Sequence, residues 1–253
     1  MINNPLKNNL ASGQLVVGSF VYIPSAKLTE IVGLIGFDFI VIDMEHGPVD
    51  IGAAEGMVRA AELAGVVPII RVTHNTPHLI LRALDVGALG VHVPEINYPT
   101  QAKEMVASVK YAPEGHRGLA GVRAAKYGLK GSLAGYALAA NQETMIIAHI
   151  EHYEAIENLD ELLDVQGIDV YFLGPTDLSN SLGIPGQSSD PKVVEMVEGA
   201  IKRIVSRGKI AGCITVDPQM ARHYKDLGVL YLATHAIGHM ARGSRQFIEE
   251  IRK

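Results

Sequence analysis

The chain has 253 residues, of which 48% are hydrophobic and 19% charged, and its formal net charge at pH 7 is −5. This length suits one β/α barrel of about 250 residues, and the negative charge disfavours nucleic acid as a partner. No apolar run reaches the ~18 residues that span a bilayer, and MINNPLKNNL lacks the pattern of a secretory signal, so we expect a cytoplasmic protein without a membrane partner.

Apolar segments of strand length alternate with amphipathic segments of helix length along the chain. The eight predicted strands lie near residues 15–22, 39–43, 67–72, 90–93, 145–151, 169–173, 210–215 and 229–233. Between the second and third strands, DIGAAEGMVRAAELAG has apolar residues at helical spacing, and Gly65 provides the stop signal.

Apolar strands joined by helical crossovers imply a parallel sheet covered on both faces. Eight such units predict a (β/α)₈ TIM barrel, in the α/β class, with residues 1–253 as a single domain. The alternative is an open doubly wound sheet, which would carry a glycine-rich turn after its first strand. The chain reads YIPSAKLTE at that point, which disfavours the open sheet.

Three further features have less specific interpretations. The segment 113–131 is rich in glycine and arginine, and we interpret it as an active-site or subunit-contact loop. Cys213, the one cysteine, lies in the apolar run IAGCIT and is interpreted as a buried, inert thiol. His235 and His239 are four residues apart, but HAIGH departs from the zinc-protease signature, so we interpret both as surface or packed histidines.

Reactive groups of a β/α barrel lie at the C-terminal ends of its strands and in the loops just beyond. The polar residues predicted there are Asp43, Glu45, His46, Arg71, His149, Glu151, His152 and Asp177. Glu151 and Asp177 follow adjacent strands, and two oxygen donors without a nearby lysine favour Mg²⁺ or Mn²⁺, with Co²⁺ also allowed. The alternatives are a structural ion pair for Glu151 and a helix N-cap for Asp177.

Two further strand ends carry groups suited to catalysis. His46 follows Asp43 by three residues, so the carboxylate can orient the imidazole as a general base; alternatively, these residues form a polar strand end. Arg71 ends the apolar run VPII, either as a donor to an oxygen that gains negative charge or as a salt-bridge partner. His149 shares strand parity with Glu151 and is expected to contact a metal ligand rather than the metal.

The type of reaction follows partly from what the strand ends lack. A Schiff-base aldolase needs a desolvated lysine at such an end, and none of the predicted ends carries one. The turns after strands seven and eight, VDPQM and THAIGHM, are also unlike glycine-rich phosphate-binding turns. Enolate stabilisation by a metal is the remaining route to carbon–carbon chemistry.

The chain carries, in this order and over nearly its whole length, the segments FIVIDMEHGPVD, PIIRV, LRALDVGALGVHVPEINYPTQA, APEGHRG, IIAHIE and FLGPTDLSNSLG. Together these segments resemble the HpcH/HpaI aldolase family. The family includes 4-hydroxy-2-oxoheptanedioate and 2-dehydro-3-deoxyglucarate aldolases. The resemblance therefore implies a metal-dependent class II pyruvate aldolase, an aldehyde-lyase, that converts a 4-hydroxy-2-oxo acid to pyruvate and an aldehyde through an enolate.

The resemblance also implies roles for single residues. Glu151 and Asp177 would be the metal ligands, and His46 would be the base, held by Asp43 and supported by Asp85. Arg71 would stabilise the enolate oxygen. The backbone of the segment Gly174, Pro175 and Thr176 would receive the substrate carboxylate at a helix start.

Family members are typically hexamers in which the last helix is exchanged between neighbours, so we expect a homohexamer here. Two departures from the family pattern are His149, where glutamine is common, and YLATHAIGHM, which lacks the acidic residue often found after strand eight. Two other functions stay open: an oxaloacetate-type decarboxylase or lyase on the same site, and a catalytically silent barrel that binds small molecules.

Overall fold

The computed structural model describes residues 2–253, in which eight parallel strands close into a barrel in chain order. The strands are β1 (Val16–Val21), β2 (Phe39–Asp43), β3 (Val67–Arg71), β4 (Gly90–Val93), β5 (Met145–Ile150), β6 (Val170–Leu173), β7 (Ala211–Ile214) and β8 (Tyr231–His235). The closed parallel barrel with helical crossovers confirms the predicted fold class.

Helices cover the outside of the barrel and one of its ends. They are α1 (Pro5–Ala11), α2 (Ala26–Leu34), α3 (Ile51–Ala64), α4 (Pro77–Asp85), α5 (Pro99–Val109), α6 (Leu133–Glu143), α7 (Tyr153–Glu157), α8 (Leu159–Leu163), α9 (Pro175–Ser181), α10 (Pro191–Ser206), α11 (Pro218–Asp226) and α12 (Ala236–Ile251), with a 3₁₀ segment at Arg123–Gly128. No helix within residues 2–253 has both the length and the apolar character needed to cross a bilayer.

Local signals set the ends of these elements. Helix α3 begins after Asp50, whose carboxylate accepts a hydrogen bond from the Ala53 N–H, and it ends at Gly65, which has a left-handed φ of 73° as predicted. Seven strands agree with their predicted ranges to within one residue. Strand β8 instead ends two residues later, because its pairing with β1 continues as far as Phe20 opposite His235.

The barrel interior is filled by every second residue of the strands, as their alternation requires. Aromatic rings of Phe20, Phe39, Phe172 and Tyr231 occupy much of this space and are almost fully buried. Gly212 provides room for two of them, because an added Cβ there would lie 2.8 Å from the Phe172 ring and 3.2 Å from the Tyr231 ring. This packing holds the strand ends above it in fixed positions.

Two other layers complete the core. Helix α1 lies against the N-terminal end of the barrel, where Leu6 and Leu10 join the interior cluster. The outward faces of the strands, such as Ile40 and Ile70, pack against helix residues such as Met57 and Leu84. The C-terminal ends of the strands are left free of such a cover, and the polar side chains gather there.

Candidate active site

Asp43 and Arg71 form one side of the C-terminal rim. They end β2 and β3 and are register partners in the sheet. The Arg71 guanidinium donates to both oxygens of Asp43, from Nε at 2.9 Å and from Nη2 at 2.5 Å, and it lies over the ring of Phe20, 4.9 Å from the centroid. Burial alone would raise the pKa of Asp43, but Arg71 and two backbone N–H groups together lower it.

The position of His46 follows from the same carboxylate. Asp43 Oδ1 accepts hydrogen bonds from the backbone N–H groups of Glu45 and His46, at 3.0 and 3.3 Å, in a turn that short acidic and amide side chains favour. The predicted contact between Asp43 and the imidazole is therefore wrong: the carboxylate holds Arg71 and the backbone of the loop instead. The imidazole is exposed and lies close enough to Asp177 to oppose, in part, the rise in the pKa of that acid.

Glu45 is a member of this rim to which the sequence assigned no role. Its carboxylate lies 3.0 Å from Arg71 Nη1. Burial and the nearby carboxylates of Glu151, Asp43 and Asp177 raise the pKa of Glu45 to about 7, although Arg71 opposes the shift. The only available signal was its place directly after a buried strand, and that signal does not distinguish it from an ordinary surface acid.

Glu151 and Asp177 form the other side of the rim, and both lie next to Gly174. A Cβ added to Gly174 would lie 3.0 Å from Glu151 Oε2 and 3.7 Å from Asp177 Oδ2, so those two oxygens cannot be farther apart than the sum of these distances. Glu151 is buried, and its oxygens accept hydrogen bonds from the Glu95 N–H at 3.0 Å and from His149 Nδ1 at 2.9 Å. Burial and the charge of Glu151 raise the pKa of Asp177.

These residues fit a divalent cation. Two carboxylates converge over a residue without a side chain, and each perturbs its neighbours in the direction expected for unbalanced negative charge. Among residues 2–253, no three His, Cys, Asp or Glu side chains are gathered closely enough to form a complete metal cluster. A cation held here would therefore keep open positions for water and substrate oxygens, as magnesium sites commonly do.

The predicted carboxylate site at Gly174, Pro175 and Thr176 lies beside this acid pair, at the start of α9. This segment has fewer free backbone N–H donors than the sequence predicts. The Gly174 N–H already donates to the Ile150 carbonyl oxygen at 3.4 Å, and proline has no N–H. Thr176 is left as the amide of this segment that can serve a substrate.

Asp85 lies at the other end of the barrel. It is the last residue of α4, and a helix that follows a barrel strand runs back toward the N-terminal end of the sheet. Its carboxylate accepts a hydrogen bond at 2.8 Å from Arg117 of the segment 113–131. The predicted support of His46 by Asp85 within one chain is therefore wrong.

The segment 113–131 occupies that same N-terminal end, because it connects the end of α5 to α6 and the start of β5. Its Arg123 binds Glu62 and the Val86 carbonyl oxygen, which lie at the ends of α3 and α4. An active-site role for this segment within its own chain is excluded by its position. The subunit-contact interpretation stays a prediction.

Histidines below and beside the rim complete the site. His149 contacts the predicted metal ligand Glu151, as expected from strand parity. His235 was interpreted as a surface or packed histidine, and it packs at the end of β8 against the rings of Phe20 and Tyr22, with centroids 5.8 and 6.1 Å apart. Burial and Arg71 lower the pKa of His235, so it enters the site as a neutral group.

Comparison with known proteins identifies the family of this chain. The sequence model of the HpcH/HpaI aldolase/citrate lyase family matches residues 17–241. The chain belongs to this family. The 2-keto-3-deoxy-L-rhamnonate aldolase of Klebsiella pneumoniae subsp. pneumoniae is 37% identical to this HpcH/HpaI protein over 235 residues, which cover 92% of the chain and 87% of the relative.

Solved structures agree with the assignment. An HpcH/HpaI aldolase/citrate lyase family protein from Burkholderia cenocepacia J2315 has a TM-score of 0.94 and 29% identity, covering 99% of this chain and 100% of its own. A structure named citrate synthase SbnG has a TM-score of 0.88 and 30% identity, covering 98% of this chain and 97% of its own. The predicted family and its lyase class are thus confirmed, and with them the dependence on a metal.

Proposed function

We propose that this HpcH/HpaI protein is a pyruvate aldolase whose substrates are 2-keto-3-deoxy sugar acids, a class of 4-hydroxy-2-oxo acids. The observation that carries the proposal is the pair Glu151 and Asp177 across Gly174, opposite the fixed guanidinium of Arg71. The substrate class is supported by the name of the Klebsiella relative, a 2-keto-3-deoxy-L-rhamnonate aldolase.

Glu151 and Asp177 would hold the cation, which we propose to be Mg²⁺ or Mn²⁺, with Co²⁺ as a substitute, because both ligands are hard oxygen donors. When bound, this ion supplies Lewis-acid stabilisation to the 2-oxo and carboxylate oxygens of the substrate. The two protein ligands come from the ends of β5 and the start of α9, which the packed barrel holds in place.

The remaining side chains can move the proton and stabilise the charge. His46 would take the proton of the 4-hydroxyl group, because its imidazole is open to the mouth of the barrel on the side of Asp177. The electrons of the C3–C4 bond then form the pyruvate enolate, and the aldehyde leaves. Arg71 has N–H groups beyond those that bind Asp43, and they would stabilise the enolate oxygen until C3 receives a proton.

The experiment is a synthesis assay with purified protein, pyruvate and a panel of hydroxyaldehydes. With Mg²⁺ or Mn²⁺ present we expect a new carbon–carbon bond, detected as the 4-hydroxy-2-oxo acid by mass spectrometry. Removal of the metal by EDTA should abolish the product, and Asp177→Asn should do the same. Asp160→Asn is the matched control, because Asp160 is an exposed acid paired with Arg203 on the surface.

Product formation that survives complete metal removal would refute the metal-dependent route. Loss of activity in the Asp160 control would mean that the assay reports general damage instead of the site. The same panel includes oxaloacetate. A decarboxylase or lyase acting on such an acid is the second candidate, favoured by the similarity to a structure named citrate synthase, and preferential turnover of oxaloacetate would select it.

We further propose that the enzyme is a homohexamer in which α12 packs on a neighbouring subunit. None of the residues of α12 is buried within the chain, and its apolar side chains Phe247 and Ile251 are 64% and 68% exposed. An apolar cavity of about 800 Å³ lies between α2, α11 and the start of α12. Large exposed apolar surfaces of this kind mark interaction sites, and a neighbouring subunit is the partner that we propose here. A cytoplasmic location stays a prediction.

A further inference from the structure

A column of three polar side chains runs through the barrel interior beneath the candidate metal ligand. Tyr231 Oη lies 2.9 Å from His92 Nε2, His92 Nδ1 lies 2.7 Å from His149 Nε2, and His149 Nδ1 lies 2.9 Å from Glu151 Oε2. The three side chains come from β8, β4 and β5, and each is at least 98% buried. A polar chain in such a place is costly unless every donor has an acceptor.

When both imidazole rings are neutral, the Glu151 carboxylate fixes the direction of every hydrogen bond in the column. An ionised carboxylate can only accept, so the proton between His149 and Glu151 must belong to His149 Nδ1. In a neutral imidazole the other nitrogen then accepts, which requires His92 to donate from Nδ1 and to accept at Nε2. The hydroxyl of Tyr231 supplies that last proton. Burial lowers the pKa of His92 well below its ordinary value, which agrees with a neutral ring.

Packing holds the rings of the column in this arrangement. The His92 ring meets the edges of Phe20 and Phe172, with centroids 5.5 and 5.0 Å apart, and Tyr231 stacks on Phe39 at 4.1 Å. Close-packed aromatic surroundings of this kind leave little space for the rings to turn. The order of donors and acceptors is therefore a property of the fold.

We propose that Tyr231 and His92 are positioning residues: they provide a fixed hydrogen-bond donor to His149 Nε2, hold the Nδ1–H of His149 in line with the Glu151 carboxylate, and so aim that carboxylate at the cation. His149 and the Glu95 N–H each occupy one oxygen of Glu151. Each oxygen keeps a further lone pair, and Oε2 lies 3.0 Å from the place of a Cβ on Gly174, beside Asp177. Partners that orient a ligand in this way commonly change metal affinity 10- to 100-fold when they are removed. The inference rests on the proposed role of Glu151 as a ligand.

The test begins with the tautomers themselves, which need no metal. In metal-free protein labelled with ¹⁵N-histidine, long-range ¹H–¹⁵N correlation spectra distinguish protonated from unprotonated ring nitrogens. We expect His92 and His149 both to carry the proton on Nδ1. A wild-type spectrum in which His149 carries its proton on Nε2 overturns the proposal.

The second measurement is Mn²⁺ affinity by titration calorimetry. Tyr231→Phe removes one hydroxyl and should weaken Mn²⁺ binding about 10-fold, together with a change in the His149 ¹⁵N shifts. Tyr171→Phe is the matched control, because Tyr171 is equally buried but its hydroxyl binds the Leu162 carbonyl oxygen outside the column. Equal Mn²⁺ affinity in the two variants overturns the proposal.

A double-mutant cycle separates positioning from general damage. In His149→Gln the amide N–H₂ can donate to Glu151 whatever Tyr231 does, so adding Tyr231→Phe should weaken Mn²⁺ binding less than 2-fold further. A full 10-fold loss in this background contradicts transmission through His149. If wild-type protein shows the expected tautomers but binds no Mn²⁺, the proposed ligand role of Glu151 is wrong and the inference falls with it. In that case the spectra show that the hydrogen-bonded column is present and that the proposed metal site is what failed.

Discussion

Replacement of Gly174 by alanine tests the geometry of the candidate metal site most directly. The residue has φ −105° and ψ 87°, a conformation open to L residues, so the backbone should accept the change. The new methyl group would lie 3.0 Å from both Cβ and Oε2 of Glu151 and 3.7 Å from Asp177 Oδ2. It would therefore enter the space that the two carboxylates share.

The expected size of the effect follows from these distances. A carbon atom at 3.0 Å forces the carboxylate to retreat by a few tenths of an ångström, whereas metal–ligand distances hold to about ±0.2 Å. We expect the Kd for Mn²⁺ to rise at least ~100-fold. At free Mn²⁺ of ~100 times the wild-type Kd, binding stabilises the wild-type fold by ~2.7 kcal/mol but the variant by only ~0.4 kcal/mol.

The assay is urea denaturation of both proteins in EDTA and in MnCl₂, followed by calorimetric titration of Mn²⁺. In EDTA, Gly174→Ala should remain folded but unfold at a somewhat lower urea concentration than wild type, because Glu151 Cβ must shift away from the new methyl group. Gly199→Ala in α10 is the control, because an added Cβ there has no neighbour within 4 Å, and it should keep the full Mn²⁺ effect. A folded Gly174→Ala protein that binds Mn²⁺ within ~3-fold of wild type would refute the placement of the ion.

Three further changes test the rest of the site and the assembly. Arg71→Lys keeps the charge beside Asp43 but loses the planar fork, so kcat for aldol cleavage should fall ~10²–10³-fold in a coupled pyruvate assay, and a near-normal rate would contradict the oxyanion role. In EDTA, the free energy of unfolding of Glu45→Gln relative to wild type should increase by about 2–3 kcal/mol as the pH rises from 5 to 7.5, measured by urea titration. A difference that does not change with pH would contradict the raised pKa of Glu45. The sign follows because a carboxyl with a folded pKa raised from 4.5 to about 7 binds more protons folded than unfolded in that window, and the wild type loses this stability as pH rises. Phe247→Glu should dissociate the oligomer in light scattering with little effect on the fold of the subunit, since its side chain is 64% exposed; an unchanged mass would argue against an interface at α12.

The strand ends could be predicted from the sequence because apolar runs of strand length alternate with amphipathic segments at helical spacing. Continuous apolar runs gave seven strands to within one residue, and the rule that barrel chemistry lies at strand C-termini then selected Asp43, Arg71, Glu151 and Asp177. The structure places all four on one rim. Their catalytic and metal-binding roles remain predictions.

Contacts among these residues were harder to predict, because they depend on register and on the direction of each element. Asp43 pairs with Arg71 because the register of β2 and β3 places the two residues side by side. Residue spacing within a single strand does not predict the register between two strands. Asp85 lies at the opposite end because it closes a helix that runs antiparallel to the strands. The column from Tyr231 through His92 joins β8, β4 and β5, which meet only when the barrel has closed.

The charged side chains at the rim are not balanced in number. Four carboxylates face one buried guanidinium, which binds Asp43 and also lies 3.0 Å from Glu45. Burial and the neighbouring carboxylates raise the pKa of Glu45 to about 7, and burial and Glu151 raise the pKa of Asp177, so the negative charge at this rim exceeds the positive charge of Arg71. Uptake of protons or of a metal ion would relieve this excess of carboxylate charge. Protonation would remove the oxygen donors that hold a cation, and we therefore expect metal binding at neutral pH to release protons from Asp177 and Glu45.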